Sequence, residues 1–167
     1  MKKIIILLPL IFCIQTFPNL YAQKEVRTLY QQAVWEEASC KKLLSILQPF
    51  NENNNALLAG YKACGTMMMA RYVFNPVRKF SFFSKGKKLL EKAIEKDKEN
   101  IELRFLRFTV QTNAPSFLGY RHATNRDKLF LIKSIPSLKD KDLKQMIISF
   151  LARYGQLTQI DKQQLNA

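Results

Sequence analysis

Glycine is scarce in this chain, with 5 in 167 residues. No glycine-rich phosphate loop can be assembled from them, and no nucleophile elbow of the Gly-x-Ser-x-Gly kind occurs. Histidine is rarer still. His122 stands alone, and no cysteine or carboxylate spacing around it suits a zinc site. A carboxylate pair arranged for glycoside chemistry is missing as well. Outside the N-terminus there is no alternating apolar–polar run of strand length. These absences remove the common catalytic designs and the β-rich folds, so neither an enzyme activity nor a cofactor is expected. Acid is also in short supply, with 13 Asp and Glu against 27 Lys and Arg, for a net charge of +14.

The first residues carry a targeting pattern. Lys2 and Lys3 precede an apolar run from Ile4 to Ile14, followed by a more polar exit from Phe17 to Ala22. This is the three-part layout of a secretory signal peptide, with cleavage expected after Ala22. The apolar run falls short of the roughly 20 residues needed to cross a bilayer. Cys13 follows bulky Phe12 inside that run, which does not suit lipoprotein processing. The expected organisation is therefore a signal peptide over 1–22 and one helical domain over 23–167, exported to the periplasm or beyond. Cleavage would lower the net charge to +12, because Lys2 and Lys3 leave with the peptide. Such an excess favours anionic partners, namely lipid head groups, acidic polysaccharide or an acidic protein face. Export argues against nucleic acid.

Helical periodicity dominates the remainder. Val26, Leu29, Tyr30, Ala33, Cys40, Leu44 and Leu47 share one stripe and predict a single first helix that ends before Pro49. The polar turn Asn51–Asn55 follows, its last Asn placed to cap a second helix marked by Leu57, Tyr61, Cys64, Met68 and Tyr72. That helix is expected to stop near Asn75-Pro76. Residues 74–83 read as a linker, and Ser84 as the cap of a third helix reaching Lys96. Further helices are expected from about Glu99 to Thr112, near Asp127–Ser134 and over Lys139–Tyr154, with a frayed last turn at Thr158 and Asp161. The fold class is all-α, a bundle of about six helices.

Gly86, Leu90, Ala93 and Ile94 sit where the second helix of a tetratricopeptide (TPR) motif has its small and apolar residues, and Lys98-Glu99-Asn100 stands at that motif's turn. Leu58, Gly60 and Tyr61 match its first helix with altered spacing. The chain thus resembles the TPR. Through Arg104-Phe105-Leu106-Arg107, Gln111, Asn113, Pro115 and Phe117-Leu118-Gly119-Tyr120 it also resembles a group of uncharacterised exported bacterial proteins of TPR-like build. No tandem period of about 34 residues repeats. The resemblance implies a single TPR-like bundle and brings no activity with it.

Three groups of residues are candidates for function. Arg104, Arg107 and Gln111 share a helix face, and two guanidinium forks on an otherwise apolar helix must pair internally or line a cleft. Internal pairing would use Glu36 or Glu37. A cleft would bind an acidic peptide, protein or envelope component, with Asn113, Phe117 and Tyr120 at its rim. In the second group, Phe80, Phe82 and Phe83 lie among Arg78, Lys79, Lys85, Lys87 and Lys88. This composition suits either an anionic lipid or polysaccharide surface or a linker tucked onto the bundle. Cys40 and Cys64 form the third group. They are equidistant from the asparagine turn, so a hairpin brings them level as a disulfide or as two packed thiols. The leading expectation is a non-enzymatic interaction module, with anionic-surface binding as the alternative.

Overall fold

The computed structural model describes residues 19–165, and these form eight α-helices with no strand. They are α1 (Asn19–Gln32), α2 (Glu37–Leu47), α3 (Ala56–Met68), α4 (Pro76–Lys96), α5 (Ile101–Asn113), α6 (Thr124–Ser134), α7 (Lys141–Tyr154) and α8 (Gln159–Leu165). Most of the expected signal peptide lies outside the described residues, and its cleavage point after Ala22 falls within α1. None of the described helices is long and apolar enough to cross a membrane.

The count exceeds the six expected for two reasons. The predicted first helix is two helices, broken at residues 33–36. Its apolar stripe passes from Ala33 to Cys40, a gap of seven residues, which is about two helical turns. The periodicity therefore runs through the break without registering it. The Tyr72 hydroxyl accounts for part of the break by donating to the Ala33 carbonyl (2.7 Å), one of the acceptors left open at the end of α1. Leu43, fully buried, takes the place in the stripe that Leu44 was expected to fill. The second reason is α8, a formed helix where a frayed turn was expected.

The linker expected over 74–83 is also corrected. Asn75 accepts from the backbone N–H of Val77 (2.9 Å) and Arg78 (3.1 Å), and Pro76 opens α4. Asn-Pro here starts a helix, because proline is tolerated in a first helical turn. It does not end the one before: α3 stops at Met68, a 3₁₀ turn follows over Met69–Arg71, and Tyr72 lies outside the helix it was expected to mark. The basic-aromatic segment is thus the first half of a 21-residue helix. Ser84, expected to cap a third helix, lies inside α4, because Asn75 already starts that helix about two and a half turns earlier. Asn55 caps α3 as expected through Leu58 N–H (3.0 Å), and Asn100, which was expected only in a turn, caps α5 through Leu103 N–H (3.0 Å).

Two apolar clusters form the interior, and α5 belongs to both. Leu103 and Leu106 join the larger cluster built by α1–α4, whereas Phe105 and Phe108 join the smaller one with Leu131, Ile132, Ile147 and Leu151 of α6 and α7. At about 100° per residue these are opposite faces of α5. Two polar seams run between them, Arg104–Arg107–Gln111 on one side and Glu102–Thr109 on the other. Packing of α4 on α3 is close enough to require Gly86, where an added Cβ would lie 2.5 Å from the Ala63 carbonyl oxygen and 2.4 Å from Met67 Cγ.

Candidate functional site

The two polar seams of α5 are internally neutralised. Asp127, at the start of α6, is fully buried and accepts from Arg104 Nε (2.6 Å), Arg107 Nε (2.6 Å) and Arg107 Nη2 (2.8 Å). Glu91 of α4 completes the set, pairing with Arg107 Nη1 (2.8 Å) and accepting from the Tyr120 hydroxyl (2.5 Å). Burial works to lower the Arg107 pKa, but hydrogen bonding and charge from Asp127 outweigh it and hold the guanidinium above its usual range. Burial, reinforced by Glu91, raises the Tyr120 phenol. Across the helix, Glu102 accepts from Arg27 Nε (2.6 Å) and Nη2 (2.7 Å), from Gln23 (3.0 Å) and from the Tyr61 hydroxyl. Arg27 also reaches Asp140 at the cap of α7 (2.8 Å).

This arrangement decides the fate of the expected cleft. Arg104, Arg107, Gln111 and Tyr120 are brought together, but inside the bundle, with the arginine charges met by Asp127 and Glu91. Glu36 and Glu37, the partners expected from sequence, lie exposed at the start of α2. There Glu36 accepts from Ser39 (2.8 Å) and Glu37 pairs with Lys41 (2.9 Å). Gln111 accepts from Thr124 (3.3 Å), while its Nε2 has no partner among the described residues. Asn113 turns back onto the Thr109 carbonyl (2.8 Å), and Phe117 stands out in solvent. The six residues therefore do not line a common groove. An open depression of about 260 Å³ between α1, α5 and α7 is bordered by Gln23, Arg27, Glu102 and Asp140, whose side chains are already hydrogen-bonded to one another.

Sequence reasoning missed Asp127, Glu91, Glu102 and Arg27. Asp127 carried a signal, since it stands four residues before buried Leu131 and eight before buried Ile135, on the inward stripe of α6. An acid at such a position needs a cation from another element.

Cys40 and Cys64 are free, buried thiols. Cys40 Sγ donates to the Gly65 carbonyl (3.4 Å), so the two cysteines are level in the α2–α3 hairpin without being bonded. Burial pushes the Cys40 thiol up to about 11, with help from Glu37, and the Cys64 thiol up to about 12. Neither is poised as a nucleophile.

The basic-aromatic segment remains at the surface. Phe83 is buried and stacks edge-on against Tyr120 (5.9 Å between centroids, 85°), Phe82 is half-buried, and Lys87 lies over the Tyr120 ring (5.0 Å). Phe80 is 62% exposed, Val77 75% and Phe74 100%. Arg78, Lys79, Lys85 and Lys88 are exposed beside them. No ion pair to Arg71, Arg78, Lys79, Lys85, Lys87 or Lys88 occurs among the described residues. The sequence held a second signal here, because residues 53–90 contain seven basic side chains and not one acid. Further along α4, Lys85, Lys88, Leu89 and Lys92 border a shallow depression of about 320 Å³. No family model, curated protein or solved structure matches this chain.

Proposed function

We propose that the protein is an exported, non-catalytic helical module that docks on anionic lipid surfaces through the first half of α4. Exposed Phe74, Val77 and Phe80 beside unpaired basic side chains carry this reading. Large apolar side chains are normally withdrawn from water, and aromatic rings flanked by cations suit the head-group region of a bilayer. A basic side chain near an anionic leaflet contributes about 1 kcal/mol. Arg78, Lys79, Lys85 and Lys88 together would supply about 4 kcal/mol, with insertion of Phe80 adding to it. With both arginine charges of α5 met by Asp127 and Glu91, the alternative, a cleft for an acidic peptide, has no unpaired cation to offer.

The fold is read as TPR-like on similar grounds. Gly86 of α4 sits at the close approach to Ala63 of α3, which supports the role its position has in the second helix of that motif.

Co-sedimentation with vesicles tests the function. Phosphatidylglycerol vesicles should retain the protein at low salt and release it near 0.5 M salt, where the Debye length falls to about 4–5 Å. Reversing Arg78, Lys79, Lys85 and Lys88 to Glu should abolish retention. Equal binding to neutral phosphatidylcholine would refute the reading, as would capture of an envelope protein that survives high salt while vesicles are ignored.

A further inference from the structure

The most exposed aromatic side chains of the described chain lie at one end of the bundle, although they come from three separate segments. Trp35 (80% exposed) sits in the turn between α1 and α2, Phe74 and Phe80 at the start of α4, and Phe117 (84% exposed) in the loop after α5. Three contacts establish that these segments are neighbours. The Cys40–Gly65 hydrogen bond sets the start of α2 level with the end of α3. The Tyr72–Ala33 hydrogen bond holds the α1–α2 turn against the segment that leads into α4. The Phe83–Tyr120 stack sets the loop after α5 beside the early turns of α4.

The same end is basic. Arg71, Arg78, Lys79 and Arg121 are exposed there, with His122 beside Tyr120. Its acids are Glu36, bonded to Ser39, and Glu37, paired with Lys41. Lys85 and Lys88 follow Phe80 by about one and a half and about two helical turns along the flank of α4.

Resting on the lipid-docking function above, we infer that the protein meets an anionic bilayer end-on, with Trp35, Phe74, Phe80 and Phe117 entering the head-group region together. Isolated exposed apolar residues are ordinary on protein surfaces. A set of four exposed aromatics carried to one end by three chain segments, beside cations that have no ion pair among the described residues, is complementary to a surface that is anionic outside and apolar within. Docking along the flank of α4 would use Phe80, Lys85 and Lys88 and would leave Trp35 and Phe117 in water.

The chain has a single tryptophan, so Trp35 reports the geometry directly. Mature protein is mixed with vesicles of equal phosphatidylglycerol and phosphatidylcholine, with or without lipids brominated near the head group, and tryptophan emission is recorded alongside co-sedimentation. End-on docking requires a blue shift, quenching by the brominated lipids, and about tenfold weaker binding on Phe117→Ser. Phe117 is 84% exposed and belongs to neither apolar cluster, so loss of fold on Phe117→Ser does not confuse the result. Binding with unquenched Trp35 and indifference to Phe117→Ser would overturn the end-on geometry while leaving lipid docking through α4 intact. No binding to these vesicles would overturn both.

Discussion

Asp127→Asn exchanges a carboxylate for an amide of nearly the same shape, and it does so where two guanidinium groups converge. Asp127 is fully out of water and takes three short hydrogen bonds from Arg104 and Arg107. In the variant an amide oxygen at the Oδ1 position can still accept from Arg104 Nε and Arg107 Nη2, but the NH₂ then faces the Nε–H of Arg107 donor to donor. Breaking a buried pair by removing one partner costs about 3–5 kcal/mol, because a charge is left buried without compensation. The lower end applies here, since Arg107 keeps Glu91 (2.8 Å) and Arg104 keeps the Lys98 carbonyl (3.2 Å). For a domain of this size about 3 kcal/mol lowers Tm by about 6–12 °C. Thermal melts followed by circular dichroism, with urea titration for the free energy, measure it. Asp142→Asn is the control of identical chemistry. Asp142 meets Lys24 at 3.5 Å with both side chains about two-thirds exposed or more, so its loss should change stability by about 0.5 kcal/mol or less. If the two variants melt together, the buried cluster does not hold α6 to α5 and the reasoning fails.

Other expectations follow from the same geometry. With thiols held near 11 and 12, thiolate at pH 8 is about one part in a thousand for Cys40 and about one in ten thousand for Cys64. Native protein should therefore resist iodoacetamide and label at both sites once unfolded in urea, as read by mass spectrometry. Gly86→Ala should cost about 1–3 kcal/mol by forcing α3 and α4 apart, because the new Cβ meets the Ala63 carbonyl oxygen, which is backbone and cannot swing away. A melt unchanged from wild type would contradict the close approach. Burial acts to raise the Asp140 pKa, but Leu143 N–H and the Arg27 guanidinium outweigh it and the carboxyl titrates below its usual range. The folded state thus releases this proton more readily than the unfolded chain. Its stabilisation is complete above about pH 4 and is lost as pH falls through the depressed folded value. Stability of Asp140→Asn should fall less steeply on acidification than that of wild type, and parallel acid titrations would refute the assignment.

Legibility from sequence differed from one element to the next. The starts of α3, α5 and α7 could be read closely because local chemistry sets them, through side-chain caps at Asn55, Asn100 and Asp140, whereas the end of α3 at Met68 falls well before the Asn75-Pro76 stop that was expected. The α1–α2 break could not, since a seven-residue step preserves the stripe across a turn that Tyr72 stabilises from a distance. Arg104 and Arg107 were recognisable as residues in need of a partner, but the partner's identity was not. Glu36 and Asp127 are both acids within reach on paper, and the choice depends on where α6 folds back. The exposed aromatics were seen only in part. Phe80 stood out among lysines and Phe117 was expected at the rim of a cleft, whereas nothing in the sequence around Trp35 marked it.

The sequence by itself determined that this protein is helical, strongly basic and poor in catalytic groups, because periodicity, charge and residue chemistry are local properties that survive without a fold. Only the tertiary structure decided which charges are spent and which are free. Stacking α6 against α5 delivers Asp127 to two arginines and spends their charge inside the bundle, while no acid among the described residues pairs with the cations at the start of α4. A side chain's role depends on what the rest of the chain brings within about 4 Å of it, and that distance is set by packing rather than by sequence position.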